Sequence, residues 1–329
     1  QEFIDKLCVL EQTEDGIATA TGMAAIFATF MGLLQSGDHI LSSASVFGST
    51  HTLFTKLFPR WGITHTYFTS DSIEKLEQFV QPNSKVLYCE TPYNPGLKIL
   101  DLELLSKVCH QHSILLIVDN CFATPYVQNP TKFGADIIIH SATKYIDGQG
   151  RVLGGAVLAS KEIIEKIRFF ARHSGPSMSP FNAWLLSKSL ETLAIRMEKH
   201  SSNAEKIVEY LENNTYIEKV MYPFSLSHPQ YHLAKKQMKL GGGIVTCIIK
   251  GGFDNGKRFI DELQMCSLSA NLGDTRTIVT HPASTTHSKL TEEERQYVGI
   301  LPGLIRISVG LEHHTDIIND IQQALEKCQ

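Results

Sequence analysis

The sequence predicts an α/β protein built on a mainly parallel sheet covered by helices, on the strength of three observations. Short segments such as "ILLIVDN" and "ADIIIHSA" are apolar on both faces, as strands enclosed between helical layers are. Segments of helical period separate them, so strand and helix alternate along the chain. Polar residues gather where the strands stop. Glu90, Asp119 and the run Ser141 to Lys144 fall at or just beyond carboxyl ends, where open α/β sheets bind ligands.

In chain order, "GMAAIFATFMGLL" at 22–34 is apolar on nearly every turn and predicts a buried helix, with Thr19, Thr21 and Gly22 at its opening. "GDHILSSAS" predicts a turn and a short strand, and "VFGSTHTLFTKLFPRWG" a helix entered through Gly48 and Ser49. "THTYFT" at 64–69 predicts a strand and "SIEKLEQFV" an amphipathic helix. "SKVLYCE" predicts a strand ending at Glu90, "TPYNPGL" a turn and "DLELLSKVCHQH" a helix. The strands "ILLIVDN", "ADIIIHSA" and "GGAVLAS" follow.

The texture changes near residue 180. "SPFNAWLLSKSLETLAIRMEKHSSNAEKIVEYLENN" predicts one or two long helices, after which "GGGIVTCIIKGG", "ANLGDTRTIVTHP" and "LIRISVGLE" supply strands of a smaller α/β region. The expected division is a large domain over 1–180, then linking helices and a smaller C-terminal domain over 181–329. No low-complexity linker or internal repeat interrupts it.

Composition sets the bounds. With 43% hydrophobic and 19% charged residues, the chain suits a sizeable core rather than disorder. A net charge of -4 and the lack of a lysine/arginine run exclude a broad basic surface for nucleic acid. No run reaches the roughly 18 apolar residues that span a membrane. The opening "QEFIDKLCVLEQTEDG" carries acids where a signal peptide has basic residues, so a cytoplasmic protein is expected. It also lacks an initiator methionine, and the chain is expected to begin inside the gene product. Seven cysteines without a CxxC pair predict buried thiols in a reducing compartment and no metal site.

The stretch that carries chemistry is "IIIHSATKYIDGQG". Lys144 follows an apolar strand and three small residues, which lift it into a cleft. A desolvated lysine has a lowered pKa and serves as nucleophile or base through its neutral amine. A lysine-linked pyridoxal phosphate also needs donors for the phosphate, an anion for the pyridine nitrogen and a flat side chain on the ring. Ser141 and Thr143 supply hydroxyls, Asp119 a carboxylate on an adjacent strand end, and Gly22 and Met23 backbone N–H groups at a helix N-terminus. A solvated lysine and a merely paired buried aspartate are the plain alternatives. The glycines of "GQGRVLGG" do not form GxGxxG between a strand and a helix, which disfavours a nucleotide loop.

Seven segments then point to a known family: "ATGMAAI", "ETPYNPGLKILD", "VDNCFATP", "HSATKYIDGQG", "SPFNAWLLSKSLETLAIRM", "LGDTRTIVTHPASTTH" and "GLIRISVGLE". Through them the chain resembles, over essentially its whole length, the γ-subfamily of pyridoxal-phosphate enzymes of cysteine and methionine metabolism. This group includes cystathionine γ-synthase, cystathionine lyases, methionine γ-lyase and homoserine-ester sulfhydrylases. "VFGST" and "SATKYIDGQGRVLGG" are most similar to the bacterial O-succinylhomoserine sulfhydrylase branch.

The resemblance implies the PLP-dependent transferase fold of type I, with a mainly parallel seven-stranded sheet in the large domain, and a homotetramer of catalytic dimers. Lys144 then matches the cofactor-bearing lysine, Asp119 the partner of the pyridine nitrogen, and Gly22, Met23, Ser141 and Thr143 the phosphate cradle. Phe47 stands where many relatives have a ring-stacking tyrosine; it can stack but lacks the hydroxyl. Asn94 matches the asparagine near the cofactor 3-oxygen and substrate carboxylate, and Arg306 the carboxylate-binding arginine. Asn271 replaces a serine common in lyase-like relatives, and Ser49 a cysteine characteristic of methionine γ-lyases. The family's tyrosine and arginine that reach a neighbouring subunit's phosphate match positions upstream of Gln1.

The implied activity is γ-replacement on O-succinyl-L-homoserine by sulfide, a step of trans-sulfuration and methionine biosynthesis that gives L-homocysteine and succinate. The alternatives are O-acetylhomoserine or cysteine as a partner, γ- or β-elimination from a sulfur amino acid, and, remotely, a non-enzymatic scaffold.

Overall fold

A computed structural model describes residues 1–285, 291, 293 and 299–328, in two units. The first comprises 1–94, 99–147 and 151–191; the second comprises 95–98, 148–150 and 192–329. Thr286 and His287, which end the segment "LGDTRTIVTHPASTTH", lie outside the described residues.

The first unit is organised by seven strands: β1 Asp15–Thr19, β2 His39–Ser43, β3 Thr64–Phe68, β4 Ser84–Glu90, β5 Leu115–Asp119, β6 Ile137–Ser141 and β7 Gly155–Ala159. Their order across the sheet is β1-β7-β6-β5-β4-β2-β3. The five strands from β6 to β3 run parallel, and β7 is antiparallel to both β6 and β1. The type I architecture with a mostly parallel seven-stranded sheet is therefore present. Its strands are apolar on both faces because both are covered. On one side Ile40, Val86, Tyr88, Ile117, Ile139 and Val157 pack with Ala25, Ile26 and Phe30 of the helix Gly22–Leu33.

The second unit holds β8 Ile217–Met221, β9 Ile244–Ile249, β10 Ser267–Leu268, β11 Ile278–Thr280 and β12 Leu304–Ser308, in the order β10-β11-β12-β9-β8. Val245, Cys247, Ile305 and Ile307 share a core with Ile207 and Leu211 of the helix Leu193–Glu212, Phe259 of Gly252–Glu262, and Ile317 and Ile321 of His314–Leu325. On β12 the intervening Arg306 and Ser308 project to the opposite face, as the two-residue period of a strand requires.

Two expected helices wind differently. The segment after Gly48 begins as α-helix at Gly48–Thr52, widens to a π turn at Leu53–Leu57 and tightens to a 3-10 turn at Phe58–Trp61. Pro59 lacks an N–H to continue the α pattern. The amphipathic segment after Thr69 is a 3-10 helix, Ser70–Phe79, broken by non-helical angles at Lys75. The helix Glu2–Glu11 and strand β1 were not anticipated. The helix buries Phe3, Ile4, Leu7 and Glu11, a one-sided spacing visible in the sequence. All seven cysteines are free thiols, Cys8 and Cys121 partly buried and the others buried. Among the described residues no helix is long and apolar enough to cross a membrane.

Candidate active site

The carboxyl ends of β4 and β5 bring two acids together. The register pairs Glu90 with Asp119, and paired residues of neighbouring parallel strands point to the same face. Tyr88 precedes Glu90 by one pleat and faces the same way. Its hydroxyl lies 3.2 Å from Asp119 Oδ2 and 3.4 Å from Glu90 Oε1. Asp119 Oδ1 accepts the Cys121 N–H at 3.0 Å, and Glu90 Oε1 accepts the Phe47 N–H at 2.7 Å. Phe47 precedes the short helix Gly48–Thr52, and its side chain is half exposed.

Burial dominates the electrostatics here. It raises Glu90 above the usual carboxylate range, and the neighbouring Asp119 charge adds to the rise. Burial raises Asp119 as well, but the Cys121 N–H, the charge of His140, the Tyr88 hydroxyl and the charge of Lys144 all pull it back. Asp119 is thus the better-supported anion of the pair. Burial first, then the two carboxylates, lift the Tyr88 phenol well above its ordinary value, so it remains a donor.

Lys144 sits in the turn that closes β6. Its N–H donates to the Ser141 carbonyl at 3.2 Å, and its charge acts on Asp119. Ser141 faces the start of the helix Gly22–Leu33, where Thr21 caps the Ala24 N–H at 3.0 Å. The first N–H groups of a helix have no intrahelical acceptors, so this end favours an anion. The approach needs glycine: a Cβ on Gly22 would lie 2.6 Å from Ser141 Cβ and 2.9 Å from its Oγ. The Thr143 hydroxyl lies beside the residue that precedes β7, its Oγ1 accepting the Gly154 N–H at 3.2 Å.

The glycine-rich turn after Lys144 has a structural explanation. Gly148 adopts φ 74°, and a Cβ there would lie 2.2 Å from Arg196 Nη1. Just beside it, Asp147 holds Arg151 through its carboxylate, with the Arg151 N–H at 2.7 Å and Nε at 3.0 Å.

The structure therefore gathers Gly22, Ser141, Thr143, Lys144, Asp119 and Phe47 at one end of the first unit's sheet. Met23 is the second residue of the Gly22–Leu33 helix, with its sulfur 4.0 Å from the Thr50 hydroxyl. Asn94, partly buried, closes the first unit's turn after β4. Asn271 and Arg306 belong to the second unit and form a cluster there. Arg306 is 3% exposed, and its Nη2 donates to the carbonyls of Ala270 and Asn271, each at 3.0 Å. Ser308, one pleat on, accepts the Gly273 N–H at 2.8 Å, so β12 holds the loop carrying Asn271.

Tyr88, Cys121 and the pair Glu11–His140 were not anticipated as supports. His140 Nε2 lies 2.6 Å from Glu11 Oε1, both side chains essentially inaccessible. Asn120 Nδ2 donates to the same oxygen at 2.8 Å. The period-two spacing of Tyr88 and Glu90 was the one available signal. Nothing in sequence spacing joins Glu11 to His140.

The family of Cys/Met metabolism PLP-dependent enzymes matches residues 1–326, and the chain belongs to it. An O-succinylhomoserine sulfhydrylase of Pseudomonas aeruginosa is 47% identical over 323 residues, 98% of this chain and 80% of that protein. An L-methionine gamma-lyase of Fusobacterium nucleatum subsp. polymorphum is 45% identical over 326 residues, 98% of this chain and 82% of that one. The solved structure of cystathionine gamma-lyase from Lactobacillus plantarum complexed with L-serine has a TM-score of 0.94 at 35% identity, covering 98% of this chain and 84% of that chain.

The protein is thus a pyridoxal-phosphate-dependent enzyme acting in amino-acid sulfur chemistry. The first unit fits that cofactor. The helix start that only glycine lets approach Ser141 suits a phosphate, and the supported Asp119 carboxyl suits a protonated ring nitrogen.

Proposed function

We propose that the enzyme catalyses γ-replacement on O-succinyl-L-homoserine by sulfide, giving L-homocysteine and succinate. The observation that carries this choice is Ser49, the second residue of the helix Gly48–Thr52, which by the resemblance occupies the place of a cysteine characteristic of methionine γ-lyases. Asn271 and the 47% identity to a sulfhydrylase support the same reading.

Bound pyridoxal phosphate supplies an electron sink for a substrate carbanion. In the proposed division of labour Lys144 holds it covalently, and Gly22 and Met23 N–H groups with the Ser141 and Thr143 hydroxyls hold its phosphate. Asp119 keeps a proton on the ring nitrogen, and Phe47 covers the ring face. Arg306 clamps the substrate carboxylate bidentately, and the resemblance assigns Asn94 and Asn271 to substrate binding as well. Once the substrate amino group has displaced Lys144 from its covalent bond, the freed Lys144 amine would take the proton from substrate Cα and then move a proton at Cβ. The Cγ–O bond breaks to release succinate, a Cγ–S bond forms with sulfide, and the protons return to carbon. The catalytic assembly we propose is a homotetramer built from dimers, in the cytoplasm.

The second reading is γ-elimination, favoured by the 45% identity to a protein named L-methionine gamma-lyase. Incubating the enzyme with O-succinyl- and O-acetyl-homoserine, each with sulfide, cysteine or no nucleophile, separates the readings. Methionine and cystathionine serve as parallel substrates. Homocysteine formed preferentially from the succinyl ester supports replacement. Efficient 2-oxobutanoate release from methionine or cystathionine, with negligible sulfide-dependent product, overturns it.

A further inference from the structure

Glu90 has no role in the chemistry above, yet it is 8% exposed and sits at the carboxyl edge of the sheet. One of its oxygens, Oε1, meets two groups of consequence. It accepts the Phe47 N–H at 2.7 Å and lies 3.4 Å from the Tyr88 hydroxyl, which itself lies 3.2 Å from Asp119. A phenol has one proton, and two carboxyl oxygens compete for it. Two carboxylates in adjacent register cannot both ionise cheaply at a desolvated site.

The surrounding groups decide which of them carries the charge. Asp119 has the Cys121 N–H and the charges of His140 and Lys144 in its favour. Among the described residues, burial and the Asp119 charge raise Glu90, against the Phe47 N–H and the Tyr88 hydroxyl, which lower it. Among the described residues, the Cys89 and Cys121 thiols also feel the Glu90 charge. A neutral Glu90 carrying its proton on Oε1 donates it to the Tyr88 oxygen and leaves the phenol proton to Asp119, while the remaining acceptor capacity of Oε1 still holds the Phe47 N–H.

We propose that Glu90 is a positioning residue that works as a neutral acid: it fixes the Phe47 backbone and, through Tyr88, orients the Asp119 carboxyl. The residue covering the cofactor ring and the residue facing its nitrogen are thereby set by one hydrogen-bonded unit. This rests on the roles proposed above for Phe47 and Asp119.

The test compares Glu90→Gln, Glu90→Ala and Tyr88→Phe. In the protein stripped of cofactor, infrared spectroscopy should show the carbonyl band of a buried neutral carboxylic acid. Glu90→Gln should abolish that band and Asp119→Asn should leave it. In the loaded enzyme, Glu90→Ala should weaken cofactor affinity roughly tenfold and move the pH midpoint of the cofactor absorbance, on the scale of a lost hydrogen bond. Glu90→Gln, which keeps a neutral acceptor, should restore the affinity. Tyr88→Phe should move the pH midpoint with Glu90 intact, which keeps the test alive if Glu90→Ala does not fold.

A band that disappears in Asp119→Asn and persists in Glu90→Gln overturns the proposal. So do an unmoved midpoint in Tyr88→Phe and a Glu90→Gln affinity no better than that of Glu90→Ala. Failure of the underlying assignments looks different: Asp119→Asn would then keep the wild-type cofactor absorbance.

Discussion

Glu90 and Asp119 stand opposite each other in register on neighbouring parallel strands, and the Tyr88 hydroxyl lies within 3.4 Å of both carboxyls. A hydrogen-bonded acid beside a supported anion is an arrangement made by strand register, because a one-residue slip would turn either side chain to the other face. The chemistry proposed for the sheet edge therefore depends on pairing set well inside the core.

Lys144 is the simplest assignment to check. The loaded enzyme should show a visible band that borohydride fixes to the protein. Lys144→Ala should hold the cofactor only noncovalently and should not complete turnover. A variant with the reducible band and normal turnover would move the assignment to another lysine.

Arg306 should matter through its fork as well as its charge. Arg306→Ala should lower kcat/KM by about 2–5 kcal/mol, the usual cost of removing one partner from a desolvated charged pair, while keeping the cofactor band. Arg306→Lys retains the charge but cannot bond bidentately, so it should recover only part of the loss. Steady-state kinetics with absorbance read in parallel decide this, and unchanged kinetics in the alanine variant remove the carboxylate role.

Stability should decline with pH through Glu90. Its folded-state pKa is raised to about 8, against about 4.3 in an unfolded chain. Between those values the native state binds more protons than the unfolded state, so stability present below the lower value is lost as pH rises through the upper. Asp119 shifts in the same direction and adds to the slope in protein without cofactor. Denaturant midpoints measured across that window should fall with pH, and Glu90→Gln should flatten the decline. An equally steep decline in the variant would assign the slope elsewhere.

The Glu11–His140 pair should be structural. Glu11→Ala removes the oxygen shared by His140 and Asn120 in a fully buried site, leaving Asn120 Nδ2 the Gln128 carbonyl. Breaking a buried pair on one side costs about 3–5 kcal/mol, which urea unfolding would register directly. A loss below about 1 kcal/mol would show that water or a shifted side chain replaces the carboxylate.

Strands that were continuous apolar runs were legible, because burial on both faces leaves few other readings for "ILLIVDN" or "ADIIIHSA". The cluster around Lys144 was legible for the same reason: polar residues crowd the point where such a run stops. Strand β1 was not, since "DGIAT" is short and its partner β7 is remote in sequence. The winding changes after Thr52 and Thr69 were hidden because α, 3-10 and π turns share nearly one hydrophobic period. The Glu11–His140 contact spans 129 positions, and only tertiary folding makes it.

The membership of residues 95–98 and 148–150 in the second unit has a consequence for how the polypeptide can be divided. The buried Thr246 hydroxyl donates to the Pro95 carbonyl at 2.7 Å, and the Thr275 N–H donates to the Gly148 carbonyl at 2.8 Å. A fragment cut at Thr192 would carry both donors and neither acceptor. No single scission yields two self-sufficient pieces, so the C-terminal portion is not a detachable cassette for fusion or exchange. A protease nick near residue 192 would leave two fragments still interlocked through peptides borrowed from the other side of the cut.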